Sequence, residues 1–456
     1  MPSRSRTAPL IVFALIVASG TRGLGGERPP LLAPPPAPAL EQTPGERGVT
    51  IGSLLPFVRD TELTVHLRTF YFDGTQHTGT ENEAWAGGGW LRYESGWLAD
   101  TFAMGATLYG SGPLYAPEDK DGTFLLAPGQ KGYYVPGEAW GALRYRDYAL
   151  LKGYRQSVDQ GYINPSDIRM TPYTFEGATV GGQANGVQYL AGYLWRIKPR
   201  DSDTFVSMAE KAGATGSNDG VALVGVEFKP SSGVVLHVDE QYGVDTFNTL
   251  YAKAIGRYPL TDDWAIGLGA EFTDQRAAGA ALVDNTAVKQ WDTQVGGTRV
   301  QLSHRALTIT GAFSVTASGN TIQSPWGTYP GFLALIDAPA SQNFARANEK
   351  GWLIGASYDF SALGVQGFAP NLNFARGTGA IDPKTGASAP DQNEFNLKFD
   401  YRPPWLARTV LRGLVLTVRT ALYMQGDSQR LARQIHLILN WDWDIVAPAP
   451  GKAGVE

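Results

Sequence analysis

No cysteine occurs among the 456 residues, so neither a disulfide nor a thiolate metal site contributes to stability or chemistry. Histidine is nearly as scarce. His66, His77, His237, His304 and His436 fall in separate segments without the spacing of metal ligands. A G-x-S-x-G nucleophile elbow is absent, and the glycine run Gly87–Trp90 ("GGGW") precedes no helix that would cradle a phosphate. These gaps argue against an enzyme and against a bound cofactor or metal. Charged residues make up only 18% of the chain, and the net −5 is spread along it, so nucleic acid is not an expected partner.

Long apolar runs are missing too. Arg4 and Arg6 precede "APLIVFALIVA" (Ala8 to Ala18), followed by the small residues Ser19 and Gly20, the layout of a cleaved export signal. That run is too short to cross a bilayer as a helix, and no other segment approaches the ~18 apolar residues a membrane helix needs. "PPLLAPPPAPALEQTP" (Pro29 to Pro44) reads as an extended linker. The expected organisation is a signal peptide over 1–20, a proline-rich linker over 21–50, one domain over 51–446 and a tail over 447–456.

Glycine (55), tryptophan (12), tyrosine (20) and phenylalanine (19) are plentiful, as in proteins of many strands and tight turns. From Glu62 onward, alternating segments recur at about 20-residue intervals, many of them ~9–12 residues long, the length of a strand that crosses hydrocarbon. "ELTVHLRTFYF" sets Leu63, Val65, Leu67 and Tyr71 against Glu62, Thr64, His66 and Arg68. "VQYLAGYLWRIK" groups Val187, Tyr189, Ala191, Tyr193, Trp195 and Ile197, and "DWAIGLGAEFTDQ" groups Trp264, Ile266, Leu268, Ala270 and Phe272. In "QIHLILNWDWDI" (Gln434 to Ile445) only Ile438 breaks the alternation. The minority faces carry Gly, Ala, Thr, Ser, Asn and Gln with isolated charges, unlike the dense charge of a surface in bulk water. Aromatics gather near the ends of the apolar faces, where lipid headgroups begin. Lipid cannot satisfy a free sheet edge, so the sheet must close. The fold expected is all-β, a transmembrane antiparallel β-barrel of about 18 strands, wide enough for an aqueous channel. Short turns such as Glu94–Gly96, Arg146–Tyr148 and Pro259–Asp263 should face the periplasm. Gly110–Val135, Arg155–Thr174, Lys198–Gly220 and Ala317–Gly351 read as long external loops. Within Arg155–Thr174, Asp159, Tyr162, Asn164, Asp167 and Arg169 fit either a constriction or a solvated loop.

Several segments resemble the OprD family of outer-membrane porins of Gram-negative bacteria. They are "RTFYF" (Arg68 to Phe72), "YESG" (Tyr93 to Gly96), "LLKGYRQ" (Leu150 to Gln156) leading into "NPSDIRMTP" (Asn164 to Pro172), and "NEKGW…YDFSALGVQG" (Asn348 to Gly367). The resemblance implies an 18-stranded barrel, a constriction formed by the third and seventh external loops, and a row of basic side chains that guides carboxylates. The proline-rich segment and the tail "APAPGKAGVE" depart from the family pattern.

Parity tests the basic row independently. With the apolar positions outward, Arg68, Arg92, Arg144, Arg146 and Lys152 point inward on early strands, and Lys398 and Arg419 on late ones. Closure brings first and last strands together, so these positions form one wall. Glu227, Asp239 and Glu271 lie on middle strands, across the lumen, although Lys253, Arg257 and Arg299 dilute the asymmetry. A transverse field of this kind concentrates a steered solute, and arginine pairs with carboxylate in two-pronged fashion. The function expected is passive diffusion of small hydrophilic solutes, carboxylates foremost. Expected partners are those solutes, outer-membrane lipid, the outer-membrane assembly machinery and, as one arrangement, a homotrimer. The alternatives are an exported barrel with a plugged lumen and a soluble all-β domain.

Overall fold

Period-two alternation becomes one closed sheet. The computed structural model describes residues 56–279, 292–331, 344–426 and 431–446. The expected signal peptide, linker and tail, with residues 51–55, lie outside the described residues. The strands are β1 (Glu62–Thr75), β2 (Glu81–Glu94), β3 (Phe102–Tyr115), β4 (Tyr133–Tyr145), β5 (Ala149–Gln156), β6 (Thr174–Ala184), β7 (Val187–Lys198), β8 (Val206–Ser207), β9 (Val221–Ser231), β10 (Val234–Gly243), β11 (Phe247–Pro259), β12 (Trp264–Ala277), β13 (Asp292–His304), β14 (Leu307–Thr316), β15 (Lys350–Tyr358), β16 (Asn371–Thr378), β17 (Gln392–Tyr401), β18 (Val415–Gln425) and β19 (Ala432–Val446). The two-residue β8 only extends the external end of β7. The other 18 strands form the barrel, each antiparallel to its chain neighbours, and β1 pairs with β19 from Leu63↔Val446 to Thr75↔Arg433 to close it. Closure removes the edge that lipid could not satisfy.

Register assigns every side chain to a face. Leu67, Leu268 and Leu437 are 46%, 45% and 43% exposed on the outer surface offered to lipid, and neighbours of like parity match them across each strand pair. Two positions depart from simple alternation. Ile197 is buried inside because a bulge opposite Glu176/Gly177 flips the parity of the last residues of β7. Ile438 points inward by register, and there it packs with Phe70, Phe72, Leu125, Leu126 and Met170. The inner wall near the closure is therefore partly apolar, and the second and third external loops rest on it.

Turn chemistry follows local sequence. Asn185 and Gly186 both have positive φ in the two-residue turn between β6 and β7, as the twist of a tight hairpin requires. Loop lengths follow the expected alternation only in part. Externally, 116–132, 157–173, 199–220 and 317–349 are long, whereas 76–80 and 244–246 are short. On the periplasmic side, 359–370 and 402–414 are long and each contains a short 3-10 turn.

Candidate channel lumen and constriction

The third external loop folds inward and is fastened to two walls. On the side of the middle strands, Gln241 Nε2 donates to the Gln160 carbonyl at 2.8 Å and the Tyr162 hydroxyl meets Thr273 Oγ1 at 2.8 Å. Asn164 then ties this loop to the seventh: its Nδ2 donates to the Thr328 carbonyl at 2.8 Å, and the Thr328 N–H donates to its Oδ1 at 2.9 Å. Trp326 of the seventh loop stacks on Phe247 at 5.0 Å and donates to the Met208 carbonyl of the fourth. Loops three, four and seven thus form one packed body.

Two loop glycines permit close approach to acidic wall residues. Gly161 (φ 54°) and Gly331 (φ 62°) occupy the left-handed region, and a Cβ there would lie 2.5 Å from Asp239 Oδ2 and 1.8 Å from Glu271 Oε1. Asp239 is buried, bonded to His237 Nε2 at 2.8 Å and to Gln241 Nε2 at 2.9 Å. Glu271 is buried as well. Glu227 is half-buried, 3.0 Å from Lys229. Much of the acidic side therefore lies under the folded loops, whereas Asp159 of the third loop is exposed to the lumen.

Across the barrel, Arg68 projects inward from the middle of β1. Its guanidinium grips both oxygens of Asp167 at 2.6 and 2.9 Å, donates to Asn440 Oδ1 at 2.6 Å and reaches the Arg169 carbonyl. Three of these bonds hold the third loop, and the fourth ties Arg68 to the last strand. Arg169 Nε in turn donates to the Thr123 carbonyl of the second loop at 2.9 Å. Burial first, then Arg200 and Arg419, press the Arg169 guanidinium below its usual pKa without discharging it at neutral pH.

The other basic positions separate by depth. Lys398 of β17 faces Arg419 of β18, which faces His436 of β19, all on the lumen side. His436 packs on Phe72 at 4.4 Å and lies within electrostatic reach of Arg169 and Arg419. Nearer the periplasm, Arg92 sits 3.8 Å from Glu138, and Lys152 lies 4.2 Å over the Trp140 ring. Arg144 reaches the mouth, paired with Asp100 and stacked 4.0 Å over Trp97. Arg146 differs from expectation: it lies in the β4–β5 turn, exposed and at φ 50°, because β4 ends one residue earlier. It is outside the wall.

The family described as outer membrane porin, OprD family, matches residues 56–445. The chain belongs to the OprD family of outer membrane porins. Solved porins share its fold. The outer membrane protein OpdK of Pseudomonas aeruginosa is 20% identical, with a TM-score of 0.75 over 85% of this chain and 100% of its own. A BenF-like porin of Pseudomonas fluorescens Pf-5 is also 20% identical, with a TM-score of 0.74 over the same shares. OccAB2 of Acinetobacter baumannii is 17% identical, with a TM-score of 0.72 over 86% of this chain and 100% of its own. No curated protein sequence matches the chain.

This OprD-family porin is a channel protein of the Gram-negative outer membrane, through which small solutes pass. Its strand order puts β10 nine strands from β19 in either direction around the barrel, so Asp239 and His436 stand on opposite walls. Sequence reasoning did not single out His436 or the pairing of Arg68 with Asp167. His436 shares the parity of Gln434 and Asn440, which was a usable signal. The Arg68–Asp167 contact joins residues 99 positions apart and left no local mark.

Proposed function

We propose that this porin passes small carboxylate-bearing solutes along the cationic side of its lumen. The carrying observation is the juxtaposition of Lys398 and Arg419 on neighbouring strands, with Arg169 of the third loop within electrostatic reach of Arg419. Like charges set directly opposite on neighbouring strands repel, and a carboxylate placed between them relieves that repulsion. Arg92, Lys152 and Arg144 continue the wall toward the periplasm, while Asp159 and Glu227 lie on the other side. Several weak anionic stations in series suit conduction better than one tight site.

Arg68 acts indirectly in this reading, by holding the loop that narrows the bore. Support from relatives is limited to chemistry: the Pseudomonas aeruginosa OpdK, 20% identical, has a structure with vanillate, an aromatic carboxylate. The test is single-channel recording of the refolded protein with benzoate and with an uncharged sugar of similar size. Benzoate should interrupt or carry current at concentrations where the sugar has no effect. Equal responses would remove the carboxylate preference, and no steady current at all would make this a barrel plugged by its loops.

A further inference from the structure

The two long periplasmic connections, 359–370 and 402–414, pack on each other. Arg402 N donates to the Gly367 carbonyl at 3.1 Å, and Phe368 bridges to Tyr401. Phe368 also meets Phe399 edge-on at 5.0 Å and the tilted ring of Phe360 at 5.3 Å, and Phe360 meets Tyr358 at 5.0 Å. Tyr358, Phe399 and Tyr401 are outward by register, paired with Leu307, Val418 and Leu416. The 359–370 connection therefore folds back over the lipid side of the rim rather than under the lumen.

From this platform project Leu363 (65% exposed), Trp405 (71%) and Val410 (82%). Soluble surfaces rarely present such a group of apolar side chains without a partner. The segment "RPPWLARTVLRGL" (Arg402 to Leu414) carries three exposed arginines, Arg402, Arg408 and Arg412, and no acid. Two other arginines of this rim are paired, Arg144 with Asp100 and Arg305 with Asp263. These three make no ion pair among the described residues. Three carboxylates on flanking elements are engaged elsewhere: Asp359 caps Ser361, Asp400 accepts from Thr417, and Asp442 holds His66.

We infer that Arg402–Leu414, seated on 359–370, is an interfacial anchor that binds anionic phospholipid of the periplasmic leaflet. Trp405 and Val410 enter the headgroup–acyl boundary, and the arginines meet phosphate. Position selects this occupant, because the aromatic platform is continuous with the lipid-facing wall. Charge agrees with it, since basic side chains beside an apolar face favour anionic headgroups.

The absence of native cysteine makes the test clean. Val410→Cys in the full chain, labelled with a nitroxide, is reconstituted into phosphatidylcholine vesicles with or without one part in about five of phosphatidylglycerol, a mixture chosen to supply anionic surface charge. Collision with oxygen and with a water-soluble nickel complex then reports depth. With phosphatidylglycerol the label should favour oxygen. Replacing Arg402, Arg408 and Arg412 by Gln should return it to water, with partitioning weakened about fivefold per arginine. Unchanged heat-modifiability and conductance establish that the variant is folded. The comparison of the two vesicle types in the arginine-intact protein stands even if the variant does not fold. A label that stays in water in both vesicles, or one equally immersed with and without phosphatidylglycerol, overturns the inference.

Discussion

Arg68 and Asp167 form a two-pronged ion pair, at 2.6 and 2.9 Å, between the middle of the first strand and the third external loop. The guanidinium is buried, whereas the carboxylate keeps partial access to water. Arg68→Ala should release the loop at a cost of ~1.5–3 kcal/mol, the range for hydrogen bonds to charged groups. Open-channel current noise should rise, and Asp167→Asn should reproduce most of the effect. A variant as quiet as the parent would mean that the loop is held by its other contacts alone.

Asn164 links the third and seventh loops through both ends of its amide. Removing that amide leaves the Thr328 N–H and carbonyl without these partners, and Asn164→Ala should loosen the seventh loop by ~2 kcal/mol. Limited proteolysis from the external side measures this. Faster cleavage within 317–349 is expected, with the barrel strands still protected. An unchanged cleavage rate would show that Trp326 packing suffices to hold the loop.

The acidic side should respond unevenly. Glu271→Gln should barely alter ion selectivity, because Gly331 covers that carboxylate. Asp159→Asn should raise the preference for anions, since Asp159 faces the lumen. Reversal potentials in a potassium chloride gradient distinguish the two, and a larger shift for Glu271→Gln than for Asp159→Asn would contradict the covered arrangement.

Closure of the barrel also has a polar latch. His66 stacks on Trp90 at 3.8 Å, and its ring nitrogens meet Asp442 Oδ1 at 2.6 Å and Asn440 Oδ1 at 3.2 Å. Asp442 is largely exposed, so its ion pair alone is worth little. Loss of the stacked ring with its bonds in His66→Ala should cost ~1–2 kcal/mol. The temperature at which the folded band disappears on a denaturing gel should fall. No change would assign closure to the backbone ladder alone.

Much of the barrel was legible because a strand has a period of two and lipid imposes one face. Leu268, Trp264 and Phe272 needed no partner to declare their side. Where a bulge intervenes, as before Ile197, parity carries across no further, and no residue nearby announces the extra position. Ile438 was visible as an exception, but its reason lay in Met170 and Leu125, brought to it by loops. The wall charges Arg92, Lys152, Lys398 and Arg419 follow from register. Their neighbours do not: the loop contacts of Arg68, Asp239 and Glu271 depend on how distant segments fold into the lumen. Arg146 was misplaced by one residue, the distance between a strand end and a turn.

The cationic wall is tested most directly by reversal potential in a gradient of sodium benzoate, comparing the parent with Lys398→Ala/Arg419→Ala. Arg68 is left intact so that the third loop stays in place. The parent should prefer benzoate over sodium, and the double variant should lose most of that preference while its permeability to an uncharged osmolyte, read by liposome swelling, stays the same. A double variant with the parent's reversal potential would contradict the account.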